Sequence, residues 1–282
     1  VLRTLAVHDV LELGMACHGT NFTGMMEDRT AGLTPMGAED ARARVSEAIS
    51  LRGRLADVTR FVVRPSYAPQ PMAWGRAAVL ALAAIFALDL VLDTLASWLT
   101  GDWDGEGDFL PDPIDEEIPL AENMFNALLL APLFEEALFR GWMRGQIAAL
   151  RFAAYGFGAL ALFAGSLFVP SAYADALGLA GAAVLLAALV HWSRTNHRDT
   201  AVPGWFTRHF HWFVWGSTLL IGLIHLGNYE PLTHPLGLLV VVPQALGGLL
   251  LAYTRTRLGL WAAMLHHAAY NAVFLLSDYG WQ

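Results

Sequence analysis

The chain alternates polar stretches with apolar blocks of about 20 residues, the helix length that crosses the hydrocarbon core of a bilayer. Seven such blocks fall near residues 73–99, 121–143, 152–170, 173–192, 211–228, 234–253 and 258–277. They predict about seven transmembrane helices. Trp74, Trp98, Trp192, Trp212 and Trp261 lie near block ends, where interfacial aromatic residues collect. Residues 1–71 are mixed and polar, and lack the basic head and apolar core of a signal peptide. They read as a short cytoplasmic tail, with a helix predicted over residues 38–55. Residues 72–119 read as the first transmembrane helix and an acidic external loop, and 120–278 as a membrane domain. The fold class expected is an all-α polytopic membrane protein.

Composition sharpens this reading. Of the 282 residues, 56% are hydrophobic and 15% charged, whereas soluble domains carry about 25% charged residues. The formal charge of −8 argues against a nucleic-acid partner. Cys17 is the only cysteine, so neither an internal disulfide nor a thiolate metal cluster is expected. All 17 basic residues are Arg, and they fall on one side of the seven-span arrangement. Arg60, Arg64 and Arg76 flank the first span. Arg140, Arg144 and Arg151 lie between spans two and three, Arg194, Arg198 and Arg208 between four and five, and Arg255 and Arg257 between six and seven. The loop at 101–119 has eight acids and no Arg. The positive-inside rule makes the Arg side cytoplasmic, with the N-terminus inside and the C-terminus outside.

Several blocks contain polar residues that lipid does not favour. The second holds Glu135, Glu136 and Arg140. Glu136 and Arg140 are four apart, so they share a helix face and can form an ion pair. Glu135 lies about 100° around the helix and outside that pair. A carboxylate without a partner in an apolar setting has the profile of a general base. His225 lies near the end of the fifth block, and His267 and Asn271, four apart on one face, lie in the seventh. Each alone reads as a helix-to-helix hydrogen bond, the glue of membrane bundles. The three groups together point to a site.

Glu135-Glu136-x-x-x-Arg140, then His225, then His267-x-x-x-Asn271, resembles the CAAX prenyl protease 2-like and bacteriocin-processing family of intramembrane proteases, over roughly residues 120–278. The resemblance implies an endopeptidase acting on a membrane-associated protein or peptide, in CAAX-box processing or in peptide maturation and self-immunity. It implies that Glu135 activates water, that His225, His267 and Asn271 complete the site, and that Glu136 and Arg140 support it. The expected location is the plasma membrane of a bacterium. Two departures stand out. Ile221 occupies the position four before the second-motif His where the family usually has Phe, and about 85 residues separate Arg140 from His225, because spans three and four are inserted between them.

In this reading Glu135 takes a proton from water as it attacks the scissile carbonyl, and His and Asn donors stabilise the oxyanion. No cofactor is expected. A zinc ion on Glu135, His225 and His267 ranks second, since Glu with two His is a known catalytic ligand set. No His-Glu-x-x-His motif is present. The alternative from another class is a transporter or non-catalytic membrane scaffold whose polar residues line an ion path. One tension remains in the span assignment: it puts Glu135 toward the inner side and His225 toward the outer side.

Overall fold

The computed structural model describes residues 51–104, 109–114 and 118–280. The first fifty residues, and with them most of the helix predicted over 38–55, lie outside the described residues. The described chain is helical, with no strand beyond an isolated bridge between Pro113 and Tyr229. In chain order the helices are α1 (Leu51–Val63), α2 (Arg76–Asp104), α3 (Leu120–Phe125), α4 (Ala131–Glu135), α5 (Ile147–Ser166), α6 (Ser171–Thr195), α7 (Gly204–Ile224), α8 (Val242–Leu258) and α9 (Leu260–Gly280). A π-turn at Asn126–Leu130 joins α3 to α4, and a π-turn at Glu136–Arg140 and a 3-10 turn at Gly141–Arg144 follow α4, making one broken segment. Two more 3-10 turns, His225–Asn228 and Pro235–Val241, connect α7 to α8.

Five stretches are long and apolar enough to cross a membrane: Arg76–Gly101, Ile147–Ser166, Ser171–Thr195, Gly204–Asn228 and Pro235–Leu258. They correspond to five of the seven predicted spans. The two that fall short are the broken segment and α9. The reason is chemical: Glu135, Glu136 and Arg140 interrupt one, and His266, His267, Tyr270 and Asn271 interrupt the other. The residues singled out as candidate chemistry are those that lower the hydropathy of their helices.

α8 is the centre of the bundle. It packs against α1, α2, α7, α9 and the turn at Gly141–Arg144, and the apolar stretch Pro235–Leu258 that it completes is about 50% buried, against 11% for α6. α5 and α6 pair with each other, and α5 reaches the rest through the end of the broken segment. The inserted pair of helices is therefore a lateral hairpin, fixed at its base by Arg151, which contacts His191 and pairs with Asp199 at 2.9 Å. The core joins Phe61 of α1, Ile85 of α2, Trp142, Phe206 and Phe210 of α7, and Leu250 and Tyr253 of α8. Gly145, with φ of 76°, ends the broken segment under the ring of buried Phe206. Gly259, with φ of 100°, turns the chain from α8 into α9. Both are left-handed conformations that favour glycine.

The two ends of the bundle differ. At one, Tyr67 Oη donates to the Arg144 carbonyl at 3.0 Å, and burial pushes the Tyr67 phenol up, which keeps it a donor. Arg255 Nε donates to the Arg140 carbonyl, and Arg257 pairs with Asp57 of α1 at 3.0 Å and donates to Ser66. At the other end the acidic loop meets the α7–α8 connection, where Ile114 N–H donates to the Asn228 carbonyl and Glu230 N–H to the Asp112 carbonyl. Connections rich in Arg thus gather at one end and the acidic loop at the other.

Candidate active site

Glu135, Arg140, His225, His267 and Asn271 line one cavity, together with Asp89, Ile221, Pro243, Gln244, Gly247, Gly248, Leu251 and Tyr270. The tension between Glu135 and His225 is thereby resolved. α7 ends at Ile224, and His225 opens a 3-10 turn at its tip. The segment bearing Glu135 is no straight span but two short helices joined by one π-turn and followed by another, features that recur at functional sites.

Local chemistry explains how each side chain is set. Ala131 N–H bonds to the Asn126 carbonyl five residues back. The next bond in that register would reach Ala127, but residue 132 is Pro and has no N–H. Asn271 fills the gap: its Nδ2 donates to the Ala127 carbonyl at 2.7 Å. One amide hydrogen of Asn271 is thus spent on holding α9 to the broken segment, and one remains. His225 Nδ1 lies 2.8 Å from the Ile221 carbonyl. A carbonyl only accepts, so Nδ1 carries the proton and Nε2 is the bare nitrogen of the neutral ring. The departure from Phe at Ile221 leaves this bond intact, because it uses the backbone.

Glu136 and Arg140 form the expected ion pair, with side chains 0% and 2% exposed. Arg140 Nη2 also donates to the Gly248 carbonyl at 3.3 Å. Gly248 permits this approach, since a Cβ there would sit 3.3 Å from that guanidinium nitrogen. The pair has a third member that spacing along one helix could not reveal. His267 Nδ1 donates to Glu136 Oε1 at 3.0 Å, leaving Nε2 as the ring atom available to other groups. Glu136 therefore orients His267 as well as neutralising Arg140. Glu135 differs from its neighbour as expected: it is half-buried, and its Oε2 is buried without a hydrogen-bond partner.

Among the described residues no group of three His, Cys, Asp or Glu side chains is arranged to hold a metal ion, so Glu135, His225 and His267 are not gathered as a ligand set. His267 is turned by Nδ1 to Glu136 instead.

Sequence reasoning missed the wall contributed by α2. Asp89 and Asp93, four apart, are 1% and 6% exposed. Tyr270 Oη donates to Asp93 Oδ1 at 2.6 Å. His266 Nε2 lies 3.1 Å from Asp89 Oδ2 but out of line for a hydrogen bond, while its Nδ1 meets Thr254 Oγ1 at 3.1 Å. Two acids inside the first apolar block were themselves the signal that could have found this wall.

Residues 198–273 match a protein-family model described as Type II CAAX prenyl endopeptidase Rce1-like. The match spans His225, His267 and Asn271 and begins after Glu135, Glu136, Arg140 and the lateral hairpin. No curated protein and no solved structure matches the chain. Over residues 198–273, which carry the second and third groups of the site, the chain is similar to the Rce1-like type II CAAX prenyl endopeptidases.

Proposed function

We propose that the protein is an intramembrane endopeptidase that hydrolyses a peptide bond of a membrane-associated protein or peptide. The observation that carries this reading is the bare Oε2 of Glu135 in the same cavity as His225, His267 and Asn271. Glu135 takes a proton from water as the water oxygen adds to the scissile carbonyl carbon. The bare Nε2 of His225 accepts a hydrogen bond from the same water and holds it for attack. The remaining amide hydrogen of Asn271 is a donor toward the oxyanion, a contribution worth about 3–4 kcal/mol per donor in preorganised sites, and His267 Nε2 is a second when the ring beside the Glu136 carboxylate carries a proton on both nitrogens. Glu135 then returns its proton to the leaving nitrogen as the C–N bond breaks, giving a carboxylic acid and an amine.

The reading also sets topology. With α9 and the broken segment lying within the bilayer beside the five long helices, the chain crosses seven times. The Arg-rich end is cytoplasmic by the positive-inside rule. The substrate reaches the cavity from the membrane rather than from bulk water.

The test uses purified full-length protein in detergent micelles with a library of lipidated peptides, read by mass spectrometry. Paired products bearing a new amine and a new carboxyl are expected. Intact peptides after prolonged incubation with folded, monodisperse protein would overturn the reading.

A further inference from the structure

The polar groups around the cavity are nearly all committed. Arg140 is held by Glu136 and the Gly248 carbonyl, His225 Nδ1 by Ile221, His267 Nδ1 by Glu136, and Tyr270 Oη by Asp93. Asn271 Nδ2 is held by Ala127, and Gln244 Nε2 donates to Tyr229 Oη at 3.1 Å. What remains is lopsided. Three lining residues present buried acceptors without a partner, Glu135 Oε2, Asp89 Oδ1 and Gln244 Oε1, against one unpaired buried donor, Arg140 Nε. A wall rich in unfilled acceptors suits an occupant rich in donors.

Glu135 is used by the water. Asp89 has no such task, is 1% exposed, and has only the misaligned His266 near its other oxygen. Its neighbour one turn on, Asp93, is closed off by Tyr270. The opposing residue on α8 is Gly247, where even a Cβ would sit 3.5 Å from Asp89 Oδ1, so no side chain there covers the carboxylate. His266 meets Asp89 only at Oδ2, so Oδ1 stays buried and unsatisfied, which is costly, and a cation that binds there removes the cost.

We infer that Asp89, with Gln244 beside it in the cavity lining, is a specificity-determining subsite that binds a cationic side chain, Lys or Arg, of the substrate. A Lys ammonium brings three donors and an Arg guanidinium five, enough to satisfy Asp89 Oδ1 and Gln244 Oε1 together. The subsite rests on the endopeptidase reading, and it selects which peptide segment is cut without taking part in bond breaking.

The experiment compares matched lipidated peptides that differ at one position near the scissile bond, carrying Lys, Gln or Glu, each position being varied in turn. At one position the wild-type protein is expected to prefer Lys over Gln in kcat/KM by about tenfold or more, as for a charge-assisted hydrogen bond, and to disfavour Glu. Asp89→Asn should bring the Lys-to-Gln ratio toward one, and Asp89→Glu, which keeps the charge, should retain part of it. Hydrolysis by the wild type without preference at any position overturns the subsite alone, a result that needs no variant to fold. A preference that survives in Asp89→Asn also overturns it. No hydrolysis of any peptide overturns the endopeptidase reading and the subsite with it.

Discussion

Replacing Glu136 by Gln should cost stability rather than chemistry alone. The side chain is 0% exposed, and its Oε1 takes both the Arg140 guanidinium and His267 Nδ1–H. Gln keeps a carbonyl oxygen for His267 but removes the charge that balances Arg140. The guanidinium, 2% exposed, is then left with neutral acceptors, among them the Gly248 carbonyl, and no counter-charge. Breaking a buried pair by removing one partner costs about 3–5 kcal/mol. At about 2–4 °C per kcal/mol for a chain of this size, the melting temperature in detergent should fall by about 6–20 °C. Arg140→Gln should fall similarly, because it leaves the Glu136 carboxylate buried with only His267. The double variant strands neither charge, so it should lose less than the sum of the two, with a coupling energy of at least about 1 kcal/mol. Melting of the four proteins by intrinsic tryptophan fluorescence closes the cycle. A Glu136→Gln protein that melts with the wild type, or single-variant losses that simply add, would refute the claim that this pair anchors the site.

Gly145→Ala should destabilise by about 2–5 kcal/mol, because an L side chain is strained at φ of 76° and its Cβ would sit 2.7 Å from a Phe206 ring carbon; an unchanged melting temperature would contradict this. Asp57 is partly buried, which raises its carboxyl, but Arg257 and the Tyr253 hydroxyl outweigh burial and hold it below the usual carboxylate range. A depressed folded value gives stability that is full above the unfolded pKa and lost as pH falls through the folded one. Asp57→Asn should therefore melt lower than wild type at pH 7, and the gap should close below about pH 4; a gap that widens in acid would reverse the sign. Stripping zinc with a chelator should leave peptide hydrolysis at its untreated rate, since Glu135, His225 and His267 are not gathered as ligands; loss of activity restored by added zinc would make them so.

Much of the architecture could be read from the chain because lipid imposes one solution, a helix of about 20 apolar residues. Five blocks correspond to long helices for that reason. The same logic blurs where function intrudes. The segment through Glu135 carries acids, Arg140 and Pro132, and it breaks into pieces joined by π-turns. A straight-helix reading put Glu135 and His225 at different depths, and those breaks, with the 3-10 turn at His225, bring both residues to one cavity. Spacing along one helix made the Glu136–Arg140 pair legible. The bond from His267 to Glu136 joins residues 131 apart, and only packing of α9 on the broken segment creates it. The helix expected over 38–55 lies mostly outside the described residues, and the described part of the helix runs on past residue 55 to Val63. Its buried residues Val58 and Phe61 face the core, so tertiary packing carries the helix beyond residue 55. Asp89 was overlooked although an acid inside an apolar block is a plain signal.

The central claim is that Glu135 is the base, and one substitution isolates it. Glu135→Gln preserves shape and one hydrogen-bonding oxygen and removes the proton acceptor. Because Oε2 has no partner to lose, the protein should melt within about 1 kcal/mol of wild type. Cleavage of a lipidated peptide by the purified, detergent-solubilised variant should fall by about 100-fold or more. A Glu135→Gln protein that folds normally and cuts at the wild-type rate would contradict the account and return the polar residues of this cavity to a transporter or scaffold.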